Sequence, residues 1–279
     1  MVNRRKSLTV TSILTIGSFV ALLPLLYMIA NGLKTYGETI TRVAASPFNA
    51  KFWPQIPQWK NIPIAWEEAL MGNYFLNSLI ITIITLAGTL FVTIPAAYAF
   101  SKLKFPAQNK IFALLITTLI IPETVLLFPN YMIVSKLGWI DKLPALTIPF
   151  FGSAFFIFFL KQFFTQVPNE LIESAYIDGA NHTNILLKIM VPIANAPIFT
   201  MGFLVFIGAW NALQWPLIVT QTSKWRPISV GLASFISEAG AETQLRMAGS
   251  LIALAPVVIL YVIAQKQITE AISRTGLKG

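Results

Sequence analysis

The sequence predicts an all-α fold, a polytopic membrane bundle of six transmembrane helices with an additional helix on its inner side. Two observations lead there. Of the 279 residues, 56% are hydrophobic and only 11% are charged, with a mean hydropathy of +0.70, whereas soluble domains carry roughly 25% charged residues. A soluble core would still need a charged shell, so lipid must cover much of this surface. The second observation is spacing. Apolar runs of about 20 residues, the length a helix needs to cross a bilayer core, recur over 8–33, 75–100, 111–134, 143–164, 191–210 and 247–264.

Each run has to be helical, because hydrocarbon offers the backbone no partner and a helix bonds itself. The ten-residue alternation of a membrane barrel is absent. The first run, behind Arg4, Arg5 and Lys6, is about twice the length of a signal-peptide core and lacks a convincing cleavage site, so it is expected to stay as a span. Placing those three cations inside also puts Lys102, Lys104, Lys110, Lys161, Lys188, Lys266, Arg274 and Lys278 inside. Basic residues are then denser in the shorter inner connections, which makes both termini cytoplasmic. The outer stretch 34–72 is rich in Pro and Trp and reads as an interfacial loop with a short helix at 65–71. The expected organisation is therefore 1–72 as first span and outer loop, 73–267 as core membrane domain and 268–279 as inner tail.

Several chemistries are excluded or weakened. The chain has no Cys and one His, His182, so no disulfide framework or thiolate nucleophile exists and no metal-ligand cluster is visible. It has neither a G-x-x-x-x-G-K-S/T loop nor a G-x-S-x-G turn. No enzyme activity, metal or cofactor is expected in this chain. The net charge of +9 is dispersed between apolar runs, the pattern of membrane flanks and not of a nucleic-acid-binding patch. Glu123 is the one carboxylate well inside a span. It reads either as a substrate or proton contact or as a carboxylate hydrogen-bonded within a helix broken by Pro122 and Pro129. An ion-coupled secondary transporter, which would usually show more buried acids or half-helices, is the alternative reading.

The inner connection between 164 and 191 is longer than a turn requires, and it is patterned. Pro168 can open a helix, Glu170 and Glu173 sit near its positive end, and Gly179 can stop it in the left-handed conformation. Asn181 can cap a second helix over 183–190, and Pro192 opens the next span. Leu171, Ala175 and Asp178 share one face, with Ile172 and Tyr176 on the adjacent stripe. The helix is expected to show water apolar groups including Ala175. Helices lying in headgroups carry cations opposite their apolar face; this one carries acids, which favours docking into a groove on a partner.

These residues carry a resemblance. Glu173-Ser174-Ala175, Gly179 and Ile189-Met190-Val191-Pro192 resemble the signature E-A-A-x(3)-G-x(9)-I-x-L-P of bacterial ABC importer permeases, with Ser174 for Ala and Val191 for Leu. Tyr176-Ile177-Asp178-Gly179-Ala180 fits its usual continuation. The rest is similar to the second-permease subtype of the maltose-type carbohydrate branch: Pro24 through Leu33-Lys34, Asn77-Ser78, the run Pro95 to Phe100, then Pro122, Pro129, Tyr131 and Leu137-Gly138. Trp210-Asn211, Trp215-Pro216-Leu217 and the ending Gly276-Leu277-Lys278-Gly279 continue the likeness.

The resemblance implies a type I ABC importer permease fold in the cell (inner) membrane of a bacterium or archaeon. It implies a second homologous permease subunit, two ATPase subunits that bind the ATP, and an extracytoplasmic solute-binding protein delivering a small sugar, with no nucleic acid involved. Glu173, Ser174, Ala175, Tyr176, Ile177, Asp178, Gly179 and Ala180 would form the coupling helix inserted into the ATPase. Gly276, Lys278 and Gly279 would reach the ATPase dimer interface. Glu123, Asn211, Trp210 and Trp215 are the substrate-path candidates, the indoles suiting a sugar face, and the outer loop 220–246 would face the binding protein. Small residues such as Gly88, Ala96, Ala97 and Ala99 would let helices approach closely during rocking.

Overall fold

The computed structural model describes residues 4–40, 50–68, 71–238 and 242–276, and every regular element among them is helical. In chain order these are α1 (Arg4–Gly32), α2 (Tyr36–Ile40), α3 (Asn61–Glu68), α4 (Met71–Lys102), α5 (Gln108–Thr117), α6 (Glu123–Lys136), α7 (Leu143–Thr147) and α8 (Ala154–Thr165). They continue with α9 (Asn169–Ile177), α10 (His182–Ile185), α11 (Val191–Ile193), α12 (Asn195–Trp210), α13 (Gln214–Val219), α14 (Ile228–Glu238) and α15 (Thr243–Gly276).

Among the described residues, four stretches are long and apolar enough to cross a bilayer: Val10–Gly32, Met71–Lys102, Leu143–Thr165 and Thr243–Gln265. Two more qualify only as bent pairs. Gln108–Ile120 meets Glu123–Lys136 at 106°, and His182–Ile193 meets Asn195–Trp210 at 83°. Six spans result if each pair counts as one. Both bends have prolines behind them. Ile121 is extended, at φ −81 and ψ 121, because the residue before Pro122 is pushed out of the helical region. At the second bend Pro197 lacks an N–H, and its ring would strike the carbonyl of Ile193 in a continuous helix. Pro129, expected as a second break, lies inside α6. The short outer helix runs over Asn61–Glu68, earlier than the expected 65–71.

The chain divides into two compact units, Met1–Asn73 with Gly231–Pro256, and Tyr74–Val230 with Val257–Gly279. In the first, the loop after α1 is tied down by polar groups. The buried Asn61 amide donates to the carbonyls of Gly32 (2.9 Å) and Lys34 (2.8 Å), which terminate α1. Lys34 is only 1% exposed, and its ammonium donates to the Lys51 carbonyl at 2.9 Å. Burial pushes the Lys34 ammonium below the usual lysine range against the opposing pull of Glu38. Burial acts to raise the Glu38 carboxyl, but the Gln55 and Thr35 amides and the Thr35 hydroxyl outweigh it and hold it below the carboxylate range. Met71 and Leu245 pack with Ile64, Leu232 and Ile252.

In the second unit α4 is the central element. Ser78, Thr82, Thr85, Thr89 and Thr93 recur at helical spacing and are all buried, giving α4 a slim hydroxyl-bearing face suited to close packing. Thr89 donates to the Phe150 carbonyl at 3.1 Å, and Gly88 lies flush against the Phe151 ring. One apolar cluster gathers Ala97, Tyr98, Leu160, Phe164, Ile172, Ala175, Ile185 and Met190. Another gathers Ile81, Val134, Ala145, Leu146, Trp215 and Val219.

Candidate functional site

The connection after α8 folds into a knob whose limits are set locally. Pro168 precedes α9 in an extended conformation, φ −56 and ψ 139, and Glu170 stands in the first turn, where acid suits the helix dipole. Gly179 ends α9 at φ +81. Around it the Gly179 amide donates to the Tyr176 carbonyl (3.0 Å) and the Ala180 amide to the Ala175 carbonyl (2.9 Å). Those two bonds are the Schellman pair, which needs a left-handed residue and so favours glycine. Asn181 then caps α10, its side chain accepting from the Asn184 amide at 2.9 Å. The expected single helix over 183–190 is instead α10 followed by a π-turn, Leu186–Met190, leading to Pro192.

Packing decides which face of α9 is free. Ile172 and Ala175 point into the unit's own core, Ala175 being 8% exposed. The expectation that Ala175 faces water is therefore corrected: its small side chain lets α9 lie close on the core. Leu171, Glu173, Ser174, Tyr176, Ile177, Asp178 and Gly179 are exposed, and Ile177 is 86% exposed. Away from the core, Leu171, Tyr176 and Ile177 are thus exposed on a helix that also carries Glu170, Glu173 and Asp178. Ser174 Oγ donates back to the Leu171 carbonyl (3.1 Å) and stays on the helix.

The knob is gripped by α4. Lys102 donates to the Val167 carbonyl and to Asn169 Oδ1 (2.9 Å) at the start of α9. Beyond its end, His182 Nδ1 hydrogen-bonds the hydroxyls of Tyr98 (3.3 Å) and Tyr176. Sequence reading marked His182 only as a solitary histidine, Lys102 only as an inner-side cation and Tyr98 only as part of the run Pro95 to Phe100. At the other end of α4, Asn77 donates to the carbonyls of Lys224 and Arg226, both at 3.0 Å. Ser78 Oγ accepts from the Ile228 amide at 2.7 Å. The same loop is held by Asp141, itself at φ +58, whose carboxylate accepts from the Gln221 and Thr222 amides and the Thr222 hydroxyl.

The four substrate-path candidates differ in exposure. Trp210 is 1% exposed, stacked on Phe206 at 5.9 Å with its edge to Phe75. Trp215 is 7% exposed and donates its indole N–H to the Ala145 carbonyl at 2.8 Å. Neither indole has a free face to offer a sugar, because the chain's own rings and helices occupy it. Glu123 is exposed at the start of α6, beside the 106° bend, and Asn211 is exposed at the end of α12. An apolar groove of about 290 Å³ lies elsewhere, lined by Leu86, Asn195, Phe199, Gly202, Phe206 and Leu260 among others. Gly276 is the last described residue of α15, and Lys278 and Gly279 lie outside the described residues.

Comparison with known proteins agrees with this architecture. Residues 90–274 match the family described as "Binding-protein-dependent transport system inner membrane component". An sn-glycerol-3-phosphate transport system permease of Yersinia pestis is 32% identical over 216 residues, covering 75% of this chain and 77% of its own. An arabinooligosaccharides transport system permease of Halalkalibacterium halodurans is 28% identical over 99% of both chains. A diacetylchitobiose uptake system permease of Streptomyces coelicolor is 26% identical over 98% of this chain and 89% of its own. In fold, the chain is similar to one from the crystal structure of a bacterial ABC transporter that imports the acidic polysaccharide alginate. The TM-score is 0.81 at 20% identity, over 94% of this chain and 96% of that one. With the family matched over most of its length, the chain belongs to the binding-protein-dependent transport system inner membrane components and is a permease of an importer of that kind.

Proposed function

We propose that this permease imports a sugar or oligosaccharide, paired with a second homologous permease and driven by two ATPase subunits, one of which receives the α9 knob. The exposed Leu171, Tyr176 and Ile177 among acids, on a helix whose end is fixed by the cap at Gly179, carry the reading. Apolar side chains shown by a short, acid-bearing helix suit docking into a groove on a partner. The relatives named for arabinooligosaccharides and diacetylchitobiose support a carbohydrate cargo, and the one named for glycerol 3-phosphate keeps a small phosphorylated polyol in view. Glu123 and Asn211 remain the exposed substrate-path candidates, and the tail from Gly276 through Lys278 and Gly279 supplies a second ATPase contact. Both termini then lie in the cytoplasm, and an extracytoplasmic binding protein delivers the solute.

The test is purification of the tagged chain from native membranes in mild detergent. The proposal expects an ATPase subunit, a second permease and ATP hydrolysis that rises when binding protein loaded with oligosaccharide is added. A lone chain that accumulates solute against a gradient with ions alone would overturn it in favour of a secondary transporter.

A further inference from the structure

We infer that α4 is the strut that carries motion from the ATPase-side knob to the outer loop 224–228, with Tyr98 and Lys102 as positioning residues at one end and Asn77 and Ser78 at the other. The inference rests on the proposed docking of α9 and goes beyond it, because the knob is joined in sequence to α8 and α11 and the outer loop to α13 and α14, neither of them to α4.

The grip at each end is polar and has two points. Lys102 and Tyr98 stand one helical turn apart and reach opposite ends of α9: Lys102 takes the Val167 carbonyl and Asn169 Oδ1, and Tyr98 takes His182, which also holds Tyr176. The imidazole sits edge-on between the two rings, at 6.2 Å from Tyr98 and 5.3 Å from Tyr176. At the far end Asn77 and Ser78, adjacent in sequence, bind the Lys224 and Arg226 carbonyls and the Ile228 amide. Apolar contacts tolerate sliding of one helix past another, whereas hydrogen bonds weaken steeply with angle and distance. A displaced knob therefore pulls α4 with it. Between the grips α4 stays one helix for about 38 Å at 1.5 Å per residue, continuing through Pro95, so displacement at one end is carried toward the other. Transmission along α4 is read at its outer end.

The chain contains no Cys, so Lys224→Cys gives it a single thiol on an exposed side chain whose backbone carbonyl still accepts from Asn77. In proteoliposomes of the assembled transporter, labelling by a membrane-impermeant maleimide is timed with and without ATP plus orthovanadate. The expected result is a change of about fivefold or more in the parent. In Tyr98→Phe/Lys102→Met that change collapses to near the nucleotide-free rate while ATP hydrolysis persists, and Lys102→Arg alone keeps it. Asn77→Ala has the same effect from the other end. The full parental change in Tyr98→Phe/Lys102→Met would overturn the inference. So would joint loss of labelling change and hydrolysis, since the grip would then serve docking and not transmission. A parent complex without any ATPase would instead overturn the proposed function itself.

Discussion

Replacing Gly179 with valine gives the new side chain nothing to strike: no atom lies within 4 Å of where its Cβ would stand. The cost is all in the backbone. At φ +81 a residue with a Cβ meets its own carbonyl, at about 1–2 kcal/mol, and β-branching makes valine worse. If the chain relaxes to negative φ, it gives up the bonds from Gly179 to Tyr176 and from Ala180 to Ala175, each about 1 kcal/mol. Either way the capped end of α9 loses about 2–3 kcal/mol. If the partner grips only the capped form, docking weakens by up to roughly 30- to 150-fold. Asparagine, which tolerates the left-handed region, should lose least and alanine an intermediate amount. The assay is co-purification of the ATPase subunit from membranes containing equal amounts of each variant. Valine retaining the ATPase as well as glycine does would refute the reasoning, since the strain would then have no bearing on docking.

Two further outcomes can be checked on the chain itself. Gly88→Ala would place a Cβ 2.3 Å from the Phe151 ring, so thermal unfolding in detergent should reveal a loss of about 1–3 kcal/mol, recovered in part by adding Phe151→Ala; an unchanged transition contradicts this close packing. At Asp141 burial acts to raise the carboxyl, yet the Thr222 hydroxyl, the Thr222 and Gln221 amides and the Lys224 charge together hold it below its ordinary range. A lowered folded value means the clamp contributes fully above the unfolded pKa of about 3.9 and fades only as pH falls through the folded one. Hydrogen exchange should show the Gln221 and Thr222 amides protected at neutral pH and exposed in Asp141→Asn; protection already lost in the native chain between about pH 5 and 7 would contradict the direction.

The four long apolar spans and the two bent apolar pairs were legible in the sequence because a bilayer demands a fixed length of greasy helix, and composition reports that directly. Their interruption was partly legible. Pro122 marked a break, and one occurs there; Pro129 looked equivalent, but α6 runs through it. Nothing in the residues fixed the angles of 106° and 83°, since a proline removes a bond without choosing where the helix goes next. The signature around Glu173 and Gly179 was readable for a related reason. Capping chemistry acts over five residues, so the start, stop and length of α9 depend on little outside it.

The sequence by itself determined what is local or solvent-driven: helical class, membrane residence, the extent of the knob and the family its spacing resembles. The tertiary structure alone decided which faces are occupied. It turned Ala175 inward, buried Trp210 and Trp215 against the chain's own rings, and joined Tyr98 to His182 and Asn77 to Arg226 across 84 and 149 residues. A tyrosine at a helix end reads the same whether it meets lipid, water or an imidazole. Only the folding back of the chain supplies the partner, so such pairings have no local signature.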